Sequence, residues 1–339
     1  MSITIRRADL ARDGAVLLRT YRSYLNPLYD AARFDWMYGR NPHGAPAAWL
    51  AMDGDEVVGA AGAFPRRLRT PHASFDAWVL GDICVADSHR TLGPAVMLQR
   101  ACLAAVDAGE ATLCYDFPSA RMLAVYARLG MAPLVDVIRL ARPLRVDHQV
   151  RRRVRHAAVA RGVSSVGNLV LRLGTRRLAT HGVDITVHQG VCGQEFSALD
   201  RELGDDGVAV ERSAEYVNWR WLANPLARHD LIVARRHGRL RGWAVVAAGE
   251  QRATIADMLA GEPGIAAALV ESAVAHGRAA GAVSLSMPAS DHHPWRPLLR
   301  DLGFRAREAA PVVVYEPGPD RPGRLSNRAW RLVSGDADS

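Results

Sequence analysis

Lysine is absent from this chain of 339 residues, and all 43 of its basic side chains are arginine. Schiff-base enzymes, lysine general bases and Walker-type phosphate loops all need an amine, so the sequence excludes these classes. The 35 acidic residues leave a formal net charge of only +8. At roughly 100–200 residues per domain, the length predicts two domains.

Cysteine is scarce as well, and none of the four cysteines falls in a C-x-x-C pair. This spacing argues against a zinc ribbon or a thioredoxin-type site. Asp291, His292 and His293 are adjacent, and three consecutive residues cannot all face one ion, so a solvated loop is predicted there and no metal site. No apolar run reaches the ~18 residues of a membrane span, and no secretory signal is visible. The sequence predicts a soluble cytoplasmic protein with reduced thiols and no transmembrane segment.

Strand and helix patterns alternate along the first third of the chain, which indicates an α/β fold. Asp53, Gly54 and Asp55 separate two apolar runs and are typical of a hairpin turn. The second helix should end before Pro42, because the residue before proline is disfavoured in helices. Strands are predicted at 2–7, 47–52, 56–64, 77–85, 112–115 and 134–140, and helices at about 9–25, 31–38, 94–108 and 120–129.

An internal repeat divides the chain into two similar halves. Trp36 precedes Asn41-Pro42 by five residues, and Trp219 precedes Asn224-Pro225 by the same five. The two tryptophans lie 183 positions apart, and Gly59 and Gly242 keep that spacing. An LGM segment then closes the first half and an LGF segment the second. The ordered series predicts two copies of one α/β module.

Domain boundaries follow from the repeat and from a change in charge. Residues 148–181 contain eight arginines and no acid, with apolar residues interspersed, so we expect helical connecting segments. We predict a first module at 1–146, a basic helical linker at 147–182, a second module at 183–318 and a C-terminal tail at 319–339.

The junction at residues 85–95 carries the strongest chemical signal. An apolar strand ends at Val85, and Arg90, Gly93 and Ala95 then lead into an amphipathic helix. Small residues at a helix N-terminus leave backbone N–H groups pointing outward, and the helix dipole adds positive potential, so a phosphate or pyrophosphate can bind there. The same residues also suit an ordinary strand-to-helix turn.

This arrangement resembles the GNAT superfamily of N-acetyltransferases, in which [QR]-x-x-G-x-[GA] holds the pyrophosphate of acetyl-CoA. Ser119–Met131 resembles the second signature of that family, with Tyr126 and Gly130 at its tyrosine and glycine. Ser119 replaces an asparagine there, Met131 replaces a phenylalanine, and Pro94 removes one N–H donor from the loop. The resemblance implies two GNAT-like modules, each a mixed, mostly antiparallel sheet flanked by helices. It implies that acetyl-CoA, or another acyl-CoA, contacts Ile83, Cys84, Val85, Arg90, Thr91, Leu92, Gly93, Ala95 and Ser119.

Direct acyl transfer to an amine is the chemistry that the resemblance implies. A backbone N–H near Ile83–Val85 would stabilise the oxyanion, and an acid would protonate the leaving thiolate. Tyr126 either supplies that proton or packs its helix against the sheet. Asp82, an acid in an apolar strand, either accepts the amine proton or holds a neighbouring loop. Two further interpretations stay open: Asp116 lines the cleft or begins a turn, and Tyr21, Tyr24 and Tyr29 line an acceptor pocket or pack helices.

The second half keeps the order of elements but has lost both signatures. Glu262 would repel a pyrophosphate, and Leu299 occupies the position of Tyr126, so we interpret this copy as degenerate. The sequence thus predicts an N-acyltransferase for a small-molecule amine, with an amino sugar suggested by analogy. Two alternatives are a donor bound to an acidic acyl carrier protein, docked on the basic linker, and a non-catalytic binding protein. Few aromatic residues accompany the linker arginines, so specific nucleic-acid binding is not predicted.

Overall fold

The computed structural model describes residues 3–145, 182–204, 207–318 and 324–337. The predicted linker at 147–182 lies outside these ranges except for Gly182, and so does the start of the predicted tail, at 319–323. Wherever the structure describes the chain, no helix is both long and apolar enough to cross a membrane. The cytoplasmic location stays a prediction.

The first module contains the strands and helices that the sequence predicts. Asp9 caps the first helix by accepting hydrogen bonds from two backbone N–H groups, and Gly54 turns the hairpin between the second and third strands with φ of +60°. A π-helical turn, Asp35–Gly39, extends the second helix. The elements are β1 (Ile3–Arg7), α1 (Leu10–Tyr24), α2 (Ala31–Phe34), β2 (Ala47–Asp53), β3 (Glu56–Arg69), β4 (Ser74–Val85), α3 (Leu92–Asp107), β5 (Leu113–Asp116), α4 (Ala120–Arg128) and β6 (Pro133–Pro143).

The second module repeats this order. A second π-helical turn, Asn218–Leu222, occupies the position equivalent to the first. The elements are β7 (Asp184–Val187), α5 (Gln194–Glu202), β8 (Ala209–Val210), α6 (Ala214–Val217), β9 (Asp230–Arg236), β10 (Arg239–Ala248), β11 (Arg252–Ala260), α7 (Pro263–Ala279), β12 (Ser284–Ser290), α8 (Arg296–Asp301) and β13 (Arg305–Tyr315).

The strands of both modules form one mixed sheet in the order β1-β2-β3-β4-β5-β13-β6-β12-β11-β10-β9-β7, with β8 paired to β3. Most pairs are antiparallel, whereas β4–β5 and β11–β12 are parallel. The predicted α/β class with a mixed, mostly antiparallel sheet is therefore confirmed.

The last strand of each module has crossed into the other module. β13 pairs with β5 of the first module, and β6 pairs with β12 of the second. At the centre, β6 and β13 pair with each other, with Asp136 opposite Pro311 and Ile138 opposite Ala309. The predicted division at 146 and 183 separates the modules along the sequence but not in space, because the final strand of each half pairs with a strand of the other half.

Two repeat-matched tryptophans lie where the modules meet. Trp36 Nε1 donates to the Trp219 carbonyl at 2.8 Å, and Trp219 Nε1 donates to the Trp36 carbonyl at 2.8 Å. Their rings stack with centroids 5.1 Å apart. Each indole thus satisfies its buried N–H with its partner's backbone, and the reciprocal bonds indicate a pseudo-twofold relation between the modules.

The predicted C-terminal tail is part of this shared core. Leu325, Trp330 and Leu332 are buried in one apolar cluster that also contains residues of both modules. Asp336 is fully buried, and one of its carboxylate oxygens accepts a hydrogen bond from the Arg212 guanidinium at 3.0 Å. Residues 324–337 therefore join the two modules.

Candidate active site

The N-terminus of α3 lacks a side-chain cap. Thr91 occupies the N-cap position in an extended conformation, and its hydroxyl makes no capping hydrogen bond. Gly93 is exposed, and a methyl group added there would meet only the Thr91 hydroxyl, at 3.8 Å. Pro94, which lacks an N–H, is buried instead. The first turn therefore presents backbone N–H groups to an open, anion-attracting space.

A bulge in β4 lies beside this helix start. Ala60 pairs with Cys84 and Gly62 pairs with Gly81, so that two steps along β3 face three along β4. Asp82 takes up the extra residue with φ of +46°, a conformation that aspartate tolerates better than most side chains. Gly62, on the strand opposite the bulge, has no room for a side chain, because a Cβ there would lie 2.6 Å from the Tyr38 hydroxyl. Such bulges interrupt the ladder and redirect backbone groups.

The bulge and the helix start form two walls of a cleft of about 430 Å³, here called the donor cleft. Eight of the predicted site residues line it, whereas Leu92, Gly93 and Tyr126 do not. Ser119 is also the N-cap of α4, where its hydroxyl accepts from the Met122 N–H at 3.3 Å. The eight are Asp82, Ile83, Cys84, Val85, Arg90, Thr91, Ala95 and Ser119.

Arg90 lies at the exposed mouth of the cleft and forms an ion pair with Asp87 at 2.6 Å. Because both side chains are solvent-exposed, this pair is weak and can open when a stronger anion competes. Arg121, in the first turn of α4, adds a second cation to the lining. Arg121 is not among the residues predicted from the sequence, although its position two residues after Ser119 indicated a place near the cleft.

The Asp82 carboxylate accepts hydrogen bonds from three side chains of residues 29–38. Tyr29 donates to it at 2.5 Å, Arg33 at 3.2 Å and Tyr38 at 3.4 Å. Tyr21, in turn, lies 2.7 Å from the Tyr38 hydroxyl. Burial first, and the Asp82 charge second, raise the pKa of Tyr29 well above its usual range. The occupied lone pairs favour the interpretation of Asp82 as a residue that holds its surroundings in place.

Tyr126 lies behind the cleft wall rather than in it. The side chain is fully buried, and its hydroxyl donates to Asp116 at 2.6 Å. Burial and the nearby Asp116 charge raise the pKa of Tyr126 well above its usual range. Asp116 itself lines the cleft. The expected direct proton transfer from Tyr126 therefore lacks a path in this geometry, because the only polar neighbour of its hydroxyl that the structure gives is Asp116.

The acceptor pocket stays a prediction, and one of the three tyrosines weighed for it lies at a cleft. Tyr24 lines the donor cleft together with Leu25, at the end of α1. Tyr21 and Tyr29 are buried against Asp82 and pack the two helices.

Cys84 is the one cysteine that lines the donor cleft, and burial raises the pKa of its thiol to about 12. A thiol with this pKa stays protonated at neutral pH, whereas nucleophilic cysteines need the thiolate. Cys84 is therefore suited to packing, which argues against a covalent cysteine intermediate.

Comparison with known proteins identifies the module that holds this cleft. The family model of the GNAT acetyltransferase domain matches residues 19–134, which include the β4 bulge, the start of α3 and all of α4. The first module is a GNAT acetyltransferase domain. No curated protein sequence matches the chain.

Solved structures extend the likeness of the GNAT fold over both modules. A probable N-acyltransferase from Enterococcus faecalis superposes with a TM-score of 0.69 at 10% identity, over 93% of this chain and 72% of that one. A GCN5-related N-acetyltransferase from Kribbella flavida gives 0.61 at 15% identity, over 92% and 71%. A tandem GNAT protein from the clavulanic acid biosynthesis pathway gives 0.55 at 15% identity, over 94% and 100%. These identities establish a shared fold and nothing finer.

The second module differs from the GNAT domain at the matching helix start. Glu262 is the N-cap of α7, and it forms an ion pair with Arg236 at 2.6 Å. Leu299 is buried where the first module has Tyr126. Among the described ranges, no group of three or more His, Cys, Asp or Glu side chains could hold a metal ion. The predicted solvated loop is correct for His292, which is exposed, but wrong for His293, which is buried behind the turn.

Proposed function

We propose that the GNAT domain is an acyl-CoA-dependent N-acyltransferase that acylates the primary amine of a small molecule. The observation that carries this proposal is the uncapped N-terminus of α3, which opens into the donor cleft directly beside the β4 bulge. A GNAT acetyltransferase domain with this feature has both a place for a pyrophosphate and backbone groups for a thioester carbonyl.

The residues of the cleft fit acyl-CoA. The backbone N–H groups of the first α3 turn would hold the pyrophosphate, with Arg90 and Arg121 as exposed cations nearby. Val85 and the backbone beyond the bulge would lie along the pantetheine arm. The bound acyl-CoA would supply an activated thioester. Acetyl-CoA is the donor that the family description favours.

The chain's own groups would then do three things. The interrupted β4 backbone at Ile83 offers N–H groups to an oxyanion. Asp82, through its contacts with Tyr29 and Arg33, fixes the bulge that aims those groups. Asp116 lines the cleft and accepts a hydrogen bond from Tyr126, so we assign it as the proton acceptor or proton relay at the cleft wall. Because Cys84 is poorly suited to covalent catalysis, the acyl group would pass directly to the amine.

The acceptor and two alternatives stay proposals from the sequence. An amino sugar is the first acceptor class to screen. A donor on an acidic acyl carrier protein would dock at the arginine-rich segment 147–182, which lies outside the described residues. A non-catalytic binding protein would bind acyl-CoA without releasing CoA.

The decisive experiment is a calorimetric titration of acetyl-CoA against the wild type and the Gly93→Asp variant. The new Cβ meets only the Thr91 hydroxyl, at an ordinary contact distance of 3.8 Å, and an acid in the first helical turn suits the dipole, so the variant should remain folded. Two charges about 4 Å apart near a protein surface repel by ~4 kcal/mol, so acetyl-CoA affinity should fall by at least ~100-fold.

The second module supplies a matched control for this titration. Gly264 is the repeat-equivalent glycine in α7, and a side chain there also has open space. Gly264→Asp should leave acetyl-CoA affinity unchanged. If Gly93→Asp binds as tightly as the wild type, the donor site is elsewhere and the proposal fails. If the wild type binds acetyl-CoA but releases no CoA with any amine, the non-catalytic alternative gains support.

A further inference from the structure

The donor cleft passes between two strands that separate. β4 and β5 pair in parallel only as far as Val79 and Tyr115. Beyond this point β4 continues along β3, and β5 continues along β13. Residues 81–85 and residues 116–119 then line the cleft from its two sides. The sheet therefore has an opening here that can be reached from both of its faces.

The two faces of the sheet carry different helices. Leu50 of β2 is in the same apolar cluster as Tyr21 of α1, whereas its neighbour Trp49 is in the same cluster as Cys102 of α3. Since successive side chains of a strand point to opposite faces, α1 covers one face and α3 covers the other. Tyr24, at the end of α1, packs against both clusters, so it lies where the two faces meet at the opening.

The two arginines that line the cleft belong to the α3 face. Arg90 precedes α3, and Arg121 lies in α4, whose Tyr126 is buried in the same apolar cluster as α3. An acyl-CoA held at the start of α3 would occupy this face, and its thioester would reach into the opening from there. The amine then has to arrive from the α1 face.

Apolar and aromatic side chains line the α1 face of the opening. Tyr24 and Leu25 come from the end of α1, and Phe117, which follows β5, packs against the same apolar cluster as α1. None of the three carries a charge. Leu25 is 39% exposed, so a ligand that covers it removes apolar surface from water. Asp116 directly precedes Phe117, so the carboxylate assigned above as the proton acceptor borders this apolar wall.

Resting on the acyl transfer proposed above, we infer that the acceptor is a primary amine with an apolar, aromatic-sized group next to its nitrogen. That group would pack against Tyr24, Leu25 and Phe117, where aromatic contacts add to the gain from burial. An amino sugar carries several hydroxyl groups, and each loses free energy when it leaves water without a partner. The three side chains offer only the Tyr24 hydroxyl to such groups.

The reaction balances with the groups that are present. The amine nitrogen forms a bond to the acyl carbon, and the bond between that carbon and the CoA sulfur breaks. The proton that leaves the nitrogen, taken up by Asp116, ends on the sulfur. The products are an amide and free CoA.

The test compares phenethylamine with glucosamine as acceptors for the full chain at saturating acetyl-CoA, with release of CoA as the readout. The kcat/KM values refer to the unprotonated amine, because only that form attacks. We expect kcat/KM for phenethylamine to exceed that for glucosamine by at least about tenfold. Leu25→Asn keeps the size of the side chain but places an amide on the apolar wall, and it should lower kcat/KM for phenethylamine by roughly tenfold.

Leu28→Asn is the matched control. Leu28 follows Leu25 by three residues and is 83% exposed, but it does not line the cleft. This variant should keep the kcat/KM of the wild type for phenethylamine. An equal loss in Leu25→Asn and Leu28→Asn would overturn the assigned position of the apolar group.

Calorimetric titration of phenethylamine into the full chain, with and without CoA, gives a second readout that needs no transfer. Binding that Leu25→Asn weakens and Leu28→Asn does not supports the apolar site, even if no amine releases CoA and the proposed transfer fails. Faster transfer to glucosamine would overturn the inference and leave the proposed function standing. Absence of both binding and transfer with phenethylamine would also overturn it. Should Leu25→Asn fail to fold, the preference of the wild type between the two amines still decides.

Discussion

At the donor cleft, some side chains already form hydrogen bonds within the protein. Asp82 accepts from Tyr29, Arg33 and Tyr38, and Tyr126 donates to Asp116. An ionised or polar group that is buried needs such partners, because an unsatisfied one costs about 1–3 kcal/mol. The contacts that make these residues stable in the interior are also what limit their availability for chemistry.

The Tyr126→Phe variant tests whether Tyr126 contributes to protonation of the leaving thiolate. Loss of a hydrogen bond to a carboxylate should lower the free energy of unfolding by about 1.5–3 kcal/mol. Because Asp116 is the one hydrogen-bond partner of this hydroxyl within the described part of the chain, kcat should fall by less than the ~100-fold that loss of a direct general acid costs. The KM for acetyl-CoA should change little. Steady-state kinetics and urea unfolding measure these quantities.

Tyr115→Phe is the matched control for that variant. Tyr115 is equally buried but lies in a different apolar cluster from Tyr126, and its hydroxyl donates to the Asp336 carbonyl, away from the donor cleft. It should lose some stability and no kcat. Equal kcat for the two variants would remove Tyr126 from the mechanism, and a loss above ~100-fold would restore it as the acid.

At the scale of elements, the unit of β4 and α3 carries the donor site, and its repeat is visible in β11 and α7. Asp82 and Asp257 occupy equivalent strand positions. The residues that hold them are also repeat-matched: Tyr29 and Arg212 are 183 positions apart, the spacing of Trp36 and Trp219. Ala260 pairs with Gly242 as Val85 pairs with Gly59, and the pairing of β10 with β11 also shifts register beside Asp257. A buried acid beside a bulge is therefore a feature of both modules, which argues that it stabilises the strand rather than serving one reaction.

The Asp82→Asn variant tests whether Asp82 stabilises β4 or acts as the general base. Asparagine keeps the shape and tolerates the positive φ, but Arg33 loses a buried partner, which typically costs about 3–5 kcal/mol. The melting temperature should fall, and the transfer rate measured on the folded fraction should fall only modestly. Rate and unfolding are measured side by side at one temperature.

Asp257→Asn, at the equivalent position, is the control. It should also destabilise the protein, although less, since Arg212 keeps Asp336 as a partner. If Asp82→Asn abolishes transfer while remaining as stable as Asp257→Asn, then Asp82 is the general base and the structural interpretation is wrong.

At the scale of the whole molecule, the exchange of β6 and β13 makes the two modules one folding unit. Without β13, the edges of β5 and β6 would present unpaired backbone groups, and the core around Trp36 and Trp219 would open. A continuous sheet and a shared core predict one cooperative transition rather than two.

Expression of the halves tests this dependence. Residues 1–146 alone and residues 183–339 alone should each lack a cooperative thermal transition, whereas co-expression should give a 1:1 complex on gel filtration. A second fragment ending at Phe304, without β13 and the tail, should fail to complement. A first fragment that unfolds cooperatively as a monomer would contradict the prediction.

Local pattern in the sequence determined the elements of the first module, the repeat and the position of α3, because strand periodicity, caps and glycine turns act over a few residues. It also supplied eight of the residues that line the donor cleft. Tertiary structure decided the rest. The strand exchange, the burial of Tyr126 behind Asp116 and the tail in the core all depend on contacts between residues far apart in the chain. No local propensity encodes such contacts; they follow from which faces and edges must be buried or paired when the whole sheet closes around one core.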